Sequence, residues 1–326
     1  MLAARLTAQL LAGPPARDPV AVAERVLAVQ GQDPTGFRLA VRARTEGATA
    51  ADVDRALTEE RSLVVTWLNR GTLHLVRSED YPLVQAVTTP PLQTSSARRL
   101  AQEGVPPRDM ERGLATIESS LADEGPLTSD ALRERIAATG VRAEGPALYH
   151  LLFQASLRGL IVRGPMAGRK QAYVLVRDWI PDAKPLDRDE ALGEFARRYL
   201  AGHAPATDRD LARWAGIPLR DARAGLAAAG PAPEADTAEL PPPRLLGAFE
   251  PSLLGWTSRA DIVGDGKPNL VTVGGMFYPF AMVRGRAVAR WKLGEDGLEL
   301  DPFRRIARAD REALERDAED VRRFLG

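Results

Sequence analysis

The chain has 326 residues, and its 44 lysines and arginines are balanced by 44 aspartates and glutamates, which argues mildly against a nucleic-acid partner. A basic channel on an otherwise acidic surface would give the same sum, because the local potential depends on where the charges lie. The chain has no cysteine and no apolar run near the roughly 20 residues of a membrane span, so disulfides, thiol nucleophiles and membrane partners are excluded and we expect a cytoplasmic protein.

The first hundred residues predict three helices and a hairpin. The start, MLAARLTAQLLAGPP, has the spacing of a short amphipathic helix and lacks a clear signal-peptide cleavage site. DPVAVAERVLAVQGQDP predicts a helix that buries Val22, Val26 and Val29, and ADVDRALTEE predicts another. SLVVTWLNRGTLHLV predicts a hairpin with its turn at residues 69 to 71.

Residues 108 to 180 predict three helices followed by a two-stranded wing. RDMERGLATIESSLADEG carries an apolar stripe that includes Ile117, and LTSDALRERIAATG begins at a capping Thr128 or Ser129. EGPALYHLLFQASLRGL is the third helix, and the strands GLIVRG and QAYVLV are joined by a PMAGRK turn. This order is that of the winged helix-turn-helix, whose third helix can lie in a major groove of DNA.

The same order recurs after a PDAKPLD linker. DEALGEFARRYLAGHAP, ATDRDLARWAGIP and LRDARAGLAAAG predict three helices, the second capped by Thr207 or Asp208. A solvated loop, PAPEADTAELPPP, leads to strands from about residue 244. The alternative is two helical hairpins with unrelated β additions.

The length is sufficient for two or three packed units. We therefore expect an α+β protein, mainly α, of three tandem winged helix-turn-helix modules at residues 1–105, 106–182 and 183–326. The third module adds a C-terminal β-hairpin and a terminal helix. Three modules in one chain can wrap a duplex without a partner, which predicts a monomer with no obligate protein partner.

The segment VQGQDP places two carboxamides close together. Gln30 and Gln32 lie two residues apart at the end of a predicted helix, where Gly31 and Pro34 break the repeat. Both amides would then project from a turn, either capping the last helical carbonyls or forming a site. Asp33 could assist as a base or electrostatic stabiliser, although an aspartate before proline is typical of a turn.

Several arginines and one histidine are candidates for contacts with DNA. Arg70 at the first hairpin turn and His74 on the following strand are expected to be available for a phosphate or a pocket. Arg284 and Arg286 flank a turn in LVTVGGMFYPFAMVRGRAVARWKL, and Arg259 lies in GWTSRADIV. A solvated surface position is an equally good interpretation for the last three.

Four segments together resemble a known family. VQGQDP, TWLNRGTLHLV, FEPSLLGW and GGMFYPFAMVRGRAVARW, in this order, resemble the AlkZ and YcaQ family of winged-helix DNA glycosylases. The resemblance implies three tandem winged helices in a C shape around DNA, with a β-hairpin that probes the duplex near the lesion. It also implies a catalytic Gln-x-Gln or Gln-x-Asp motif, matched by Gln30 and Gln32, whose middle residue is usually hydrophobic and is Gly31 here.

The expected activity is hydrolysis of the N-glycosidic bond of alkylated nucleotides in double-stranded DNA. A purine alkylated at N7 or N3 is cationic and leaves without a strong general acid. A carboxamide oxygen can orient water towards C1′ and stabilise the developing positive charge on the sugar. Bulky adducts and crosslinked nucleotides are possible substrates as well, since the residues do not reveal the size of the pocket.

The residue inventory limits the mechanism further. Only four lysines occur, none of them near Gln30, so a Schiff-base lyase is disfavoured and the enzyme would be monofunctional. His74, His150 and His203 lie in separate modules without carboxylates at ligand spacing, so neither a metal nor another cofactor is expected. Alternatives are a winged-helix DNA-binding protein or transcriptional regulator without glycosylase activity, and a family member that has lost activity.

Overall fold

The computed structural model describes residues 1–167, 170–180, 183–232, 237–272 and 274–326. The helices within them are α1 (Leu2–Ala8), α2 (Pro19–Val26), α3 (Pro34–Arg42), α4 (Ala50–Thr58), α5 (Tyr81–Thr88), α6 (Pro90–Gln102), α7 (Pro107–Glu124), α8 (Ser129–Ala138), α9 (Pro146–Leu157), α10 (Val176–Trp179), α11 (Arg188–His203), α12 (Asp208–Ala215), α13 (Leu219–Ala229), α14 (Ala260–Val263), α15 (Lys267–Leu270) and α16 (Arg308–Leu325). The strands are β1 (Val29–Gln30), β2 (Leu63–Trp67), β3 (Leu73–Arg77), β4 (Ile161–Ala167), β5 (Lys170–Leu175), β6 (Arg244–Leu246), β7 (Phe280–Val283), β8 (Arg286–Gly294) and β9 (Gly297–Pro302).

The elements confirm a mainly helical fold with small antiparallel sheets. The chain divides into two compact units, one formed by Met1–Ala56 with Leu192–Gly326 and the other by Leu57–Ala191. None of the described helices has the length and apolar character needed to cross a membrane.

The Leu57–Ala191 unit contains the predicted hairpin and the predicted wing in one sheet. Strands β2 and β3 pair with Thr66 opposite His74, and Arg70 in the turn takes a left-handed conformation at φ 57°. Strand β2 also pairs with β4, at Val65 and Arg163, so the strand order is β3-β2-β4-β5. The sheet therefore crosses the module boundary that the sequence predicts at residue 105.

Three helices cover this sheet in the predicted order. Helix α7 buries its apolar stripe, and α8 begins where the Thr128 hydroxyl accepts a hydrogen bond from the Ala131 amide at 3.3 Å. Helix α9 packs with them around Trp67, which is 4% exposed. The PMAGRK turn lies partly outside the described residues, as does part of the PDAKPLD linker.

In the other unit, α11, α12 and α13 also follow the prediction. Thr207 begins α12 with a capping box, in which its hydroxyl accepts from the Asp210 amide and the Asp210 carboxylate accepts from the Thr207 amide. Strands β6 to β9 form an antiparallel sheet in chain order, and the tight turn between β7 and β8 is the predicted one. The PAPEADTAELPPP loop lies partly outside the described residues.

The predicted helix over DPVAVAERVLAVQGQDP is wrong in its second half. Helix α2 ends at Val26, Leu27 takes a left-handed conformation at φ 66°, and Val29 starts strand β1. Leu27, Ala28 and Val29 are all buried, and the left-handed backbone at Leu27 ends the helix and turns the chain into the strand. Gln30 therefore lies on a strand and not at the end of a helix.

Candidate active site

The two glutamines of the Gln-x-Gln segment are joined by a hydrogen bond. Gln30 on β1 is 5% exposed, and its Nε2 donates to Oε1 of Gln32 at 2.9 Å. Gln32 lies in the turn between β1 and α3 and is exposed. A buried carboxamide thus holds an accessible one, which limits the orientations that the accessible amide can take.

Asp33 begins the helix that follows this turn. Its backbone is extended, its Oδ1 accepts from the Gly36 amide at 2.5 Å, and Pro34 occupies the first helical position. An aspartate with these contacts satisfies an orphan amide and complements the positive end of the helix. The geometry therefore places Asp33 at the N-terminus of α3, beside Gln32.

The first turn of α3 touches a segment more than 200 residues away. A Cβ on Gly36 would come within 2.5 Å of the Ala248 carbonyl oxygen, and one on Gly247 within 2.8 Å of the Gly36 carbonyl oxygen. Two backbones can approach this closely only where neither carries a side chain. The contact places Gly247 and Ala248, which precede the FEPSLLGW segment, against α3, the helix that follows the turn carrying Gln32.

A buried ion pair lies just beyond the other end of α3. Nη2 of Arg44 donates to Oε1 of Glu250 at 2.5 Å and Nη1 donates to Oε2 at 3.3 Å, and both side chains are fully buried. The guanidinium also donates to the carbonyl oxygens of Gln9 at 2.7 Å and Ala40 at 2.8 Å. Helix α3 is thus fixed at both ends, and no local pattern in the sequence could have paired residues so far apart.

The C-terminal helix contributes a second anchor for α3. The guanidinium of Arg42 donates to both carboxylate oxygens of Asp317 and, through Nε, to Asp320 at 2.8 Å. Asp317 also accepts from the Leu245 amide at 2.7 Å. Helix α16, β6 and α3 therefore share one network of charge-assisted hydrogen bonds.

His74 is not available as the sequence led us to expect. It is 1% exposed, and burial lowers its pKa to about 3, with the charge of Arg70 acting in the same direction. Its Nδ1 donates to the Thr72 carbonyl oxygen at 2.9 Å. Because burial lowers the pKa to about 3, the ring is neutral at pH 7. A neutral buried ring cannot offer a positive charge to a phosphate. Arg70 is half-buried at the hairpin turn.

The three C-terminal arginines occupy two different environments. Arg284 and Arg286 are exposed at the β7–β8 turn, where a Cβ on the intervening Gly285 would lie 2.7 Å from Leu6. This turn therefore packs on α1. Arg259 is half-buried, and its Nε donates to the Leu253 carbonyl oxygen at 2.6 Å.

The remaining histidines do not build a metal site within the part of the chain that the structure describes, where no group of three or more histidine, aspartate or glutamate side chains could hold an ion. His203 is fully buried and stacks on Tyr199 at 4.4 Å between ring centres. His150 is partly buried on α9. Neither lies on the element that carries Gln30.

Comparison with known proteins identifies the family. A family model described as DNA glycosylase AlkZ-like matches residues 23–324. The chain belongs to this family. Its members are DNA glycosylases, which are hydrolases that act on N-glycosyl bonds, so both the resemblance and the enzyme class expected from the sequence are confirmed.

A sequence comparison and a structural comparison both relate this AlkZ-like chain to a glycosylase of Streptomyces sahachiroi. A curated relative named interstrand DNA cross-link repair glycosylase is 28% identical over 94% of this chain and 90% of its own length. The solved structure of the Streptomyces sahachiroi DNA glycosylase AlkZ has a TM-score of 0.82 with 24% identity, covering 99% of this chain and 95% of that chain. The second comparison shows that the fold is shared.

Proposed function

We propose that this AlkZ-like glycosylase hydrolyses the N-glycosidic bond of N7- or N3-alkylated purines, or of bulky or crosslinked nucleotides, in double-stranded DNA. The observation that carries the proposal is the hydrogen bond between the buried Gln30 and the exposed Gln32 in the family's glutamine motif. The name of the relative, a crosslink repair glycosylase, supports including crosslinked nucleotides among the substrates.

The paired amides suit a reaction whose leaving group is already activated. Oε1 of Gln32 has two lone pairs, of which Gln30 occupies one and the other can accept from a water molecule. That water adds to C1′ and releases its proton to solvent, while the base leaves with the bonding electron pair and loses its positive charge. Because the water is already held in place, the entropic cost of orienting it adds little to the activation free energy.

The other candidate residues take supporting roles in this proposal. Asp33 positions the turn, and His74 lines the interior as a neutral ring. Arg70, Arg284 and Arg286 contact the DNA backbone. The repeated order of three helices and a β-hairpin supports tandem winged helices in a monomeric enzyme.

The test is release of 7-methylguanine from methylated duplex DNA. We expect the wild-type protein to release the base. Gln30→Ala and Gln32→Ala should lower the rate of release by about 100-fold or more. Gln32→Asp keeps an acceptor oxygen and should retain activity. Gln102→Ala, which removes an exposed amide on α6, is the matched control and should behave as wild type. Circular dichroism establishes that each variant is folded.

The outcomes separate the enzyme from its alternatives. Wild-type rates of base release in both alanine variants would show that neither glutamine takes part in the reaction. If wild type leaves methylated DNA intact, the same series on crosslinked and bulky-adduct duplexes decides whether the substrate is larger. Specific binding to all these duplexes without any base release would replace the proposal with a DNA-binding protein.

A further inference from the structure

A cleft of about 390 Å³ lies beside the end of α3 that is remote from Gln30 and Gln32. The nine residues of α3 span about 13 Å, so the cleft is separate from the proposed catalytic site. All of its walls belong to one compact unit. They include Pro15, Glu46, Gly47, Pro242, Pro243 and Arg244, and we call it the Arg244 cleft. The fixed φ of the prolines limits how far these walls can move.

Arg244 gives the cleft a positive charge. It begins β6, is half-buried, and its Nη1 donates to the Ala43 carbonyl oxygen. Within the part of the chain that the structure describes, this is its one hydrogen bond, and no carboxylate forms an ion pair with it. A guanidinium carries five N–H donors in a planar fork, so further donors of Arg244 are available to a ligand in the cleft.

The two carboxylates nearest to Arg244 are already bound by another arginine. Asp317 accepts two hydrogen bonds from the guanidinium of Arg42, and Asp320 accepts one from its Nε at 2.8 Å. Burial lowers the pKa of Arg244, and the charges of Arg42 and Arg44 act in the same direction. The attraction of Asp317 and Asp320 opposes this change without cancelling it. A half-buried cation without its own counter-ion is a group that a bound anion stabilises.

Two backbone amides on the cleft wall supply further donors. The amides of Glu46 and Gly47 donate to no acceptor among the described residues, and Gly47 takes a left-handed conformation at φ 75°. Successive amides in such a turn form a concave group of donors that suits an anion. The Gly47 carbonyl oxygen accepts from Nη1 of Arg323 at 3.4 Å, which holds this turn against α16.

Two features near the cleft act against an anion. The C-terminal end of α3 is the negative end of its dipole, but the Ala40 and Ala43 carbonyl oxygens there already accept from Arg44 and Arg244. The carboxylate of Glu46 also lines the cleft, and it forms no ion pair within the described ranges. Glu46 therefore competes with an anionic ligand, and its removal should strengthen binding.

We propose that the Arg244 cleft binds a phosphate monoester, with the guanidinium of Arg244 and the amides of Glu46 and Gly47 donating to the phosphate oxygens. A phosphate group presents three acceptor oxygens, which suits a planar fork on one side and a turn of amides on the other. The volume of the cleft is that of a small-ligand site. The proposal goes beyond the glycosylase reaction and is independent of the glutamine chemistry.

The experiment is isothermal titration calorimetry of the full chain with inorganic phosphate and with thymidine 5′-monophosphate. Thymidine is the control that lacks the phosphate. We expect saturable binding of both phosphates below about 10 mM and no saturable binding of thymidine. Acetate, with two oxygens and a single charge, should bind more weakly than phosphate. Thymidine or acetate binding as tightly as the phosphates would overturn the assignment of the ligand class.

Three variants locate the binding. Arg244→Gln removes the charge but keeps a donor for the Ala43 carbonyl oxygen, and it should bind both phosphates about tenfold more weakly or worse. Glu46→Gln removes the competing carboxylate and should bind them about threefold more tightly, which tests the cleft even if Arg244→Gln is unstable. Arg311→Gln removes a positive charge from an exposed position on α16 and is the matched control, which should bind as wild type. Equal losses in Arg244→Gln and Arg311→Gln, or weaker binding by Glu46→Gln, would overturn the proposal.

Duplexes with and without a 5′-terminal phosphate distinguish two sources of the phosphate group. Binding of the free phosphates that is weakened in Arg244→Gln would identify a small soluble ligand. A gain in affinity only for the phosphorylated duplex, lost in Arg244→Gln, would identify a DNA end. If none of these phosphates binds through Arg244, the proposal is wrong. Gln32→Ala should bind the phosphates as wild type does, so this site and the proposed glycosylase stand or fall separately.

Discussion

Substituting Glu250 by glutamine tests how much the buried Arg44–Glu250 ion pair, which lies just beyond the end of α3, contributes to stability. Glutamine has nearly the same shape and keeps one acceptor oxygen, but it leaves the charge of Arg44 without a counter-ion in a site where both side chains are fully buried. Removing one partner of a buried pair costs about 3–5 kcal/mol, because the remaining charge is desolvated and uncompensated. The retained hydrogen-bond acceptor places this variant near the lower limit, so we expect a loss of about 3 kcal/mol in the free energy of unfolding.

A matched substitution on the surface isolates the effect of burial. Glu111 binds Arg158 with the same two-point geometry, at 2.8 Å for both hydrogen bonds, but its side chain is 58% exposed. Glu111→Gln should therefore cost no more than about 1 kcal/mol. Urea unfolding at pH 7, followed by tryptophan fluorescence, compares the two variants directly. Equal costs would refute the argument that burial of the charge determines the strength of the Arg44–Glu250 interaction.

Two further predictions concern the same unit. Burial lowers the pKa of His203 from 6.5 to about 3, so its contribution to stability is complete above pH 6.5 and decreases as the pH falls towards 3, by at most about 1.4 kcal/mol per pH unit. His203→Gln should therefore flatten the pH dependence of unfolding by about 2 kcal/mol between pH 6.5 and 5, and an unchanged slope would contradict the buried neutral ring. Gly36→Ala should cost about 1–3 kcal/mol and slow base release, because the new Cβ would meet the Ala248 carbonyl oxygen at 2.5 Å, whereas Gly274→Ala has space and should be neutral in both unfolding and release assays.

Elements whose signals are local were predictable from the sequence. Thr128 and Thr207 begin α8 and α12 as expected, because a cap needs only a hydroxyl and the amides two or three residues later. The hairpin turn at residues 69 to 71 also depends on a few neighbouring residues. The glutamine motif was recognisable because its residues lie close together in the chain.

The details of the site depended on tertiary contacts. The pattern of valines continued a helix through Val29, but Leu27 takes a left-handed conformation that ends α2, and Val29 lies on strand β1. His74 looked accessible because sequence alternation does not say which face of a hairpin is covered. The hydrogen bond from the Gly36 amide to Asp33 became visible only with the helix that follows the turn.

The sequence by itself determined the helix caps, the hairpins, the family motif and most of the helices that it predicted, since each is specified by residues within a few positions of one another. Tertiary structure alone decided that Arg44 meets Glu250 and that Gly36 meets Ala248, which lie more than 200 positions apart. The physical reason is that desolvation and close packing depend on which distant segment fills the space beside a residue. Those quantities set the charge of a histidine and the orientation of the amide that we propose to be catalytic, and no local pattern contains them.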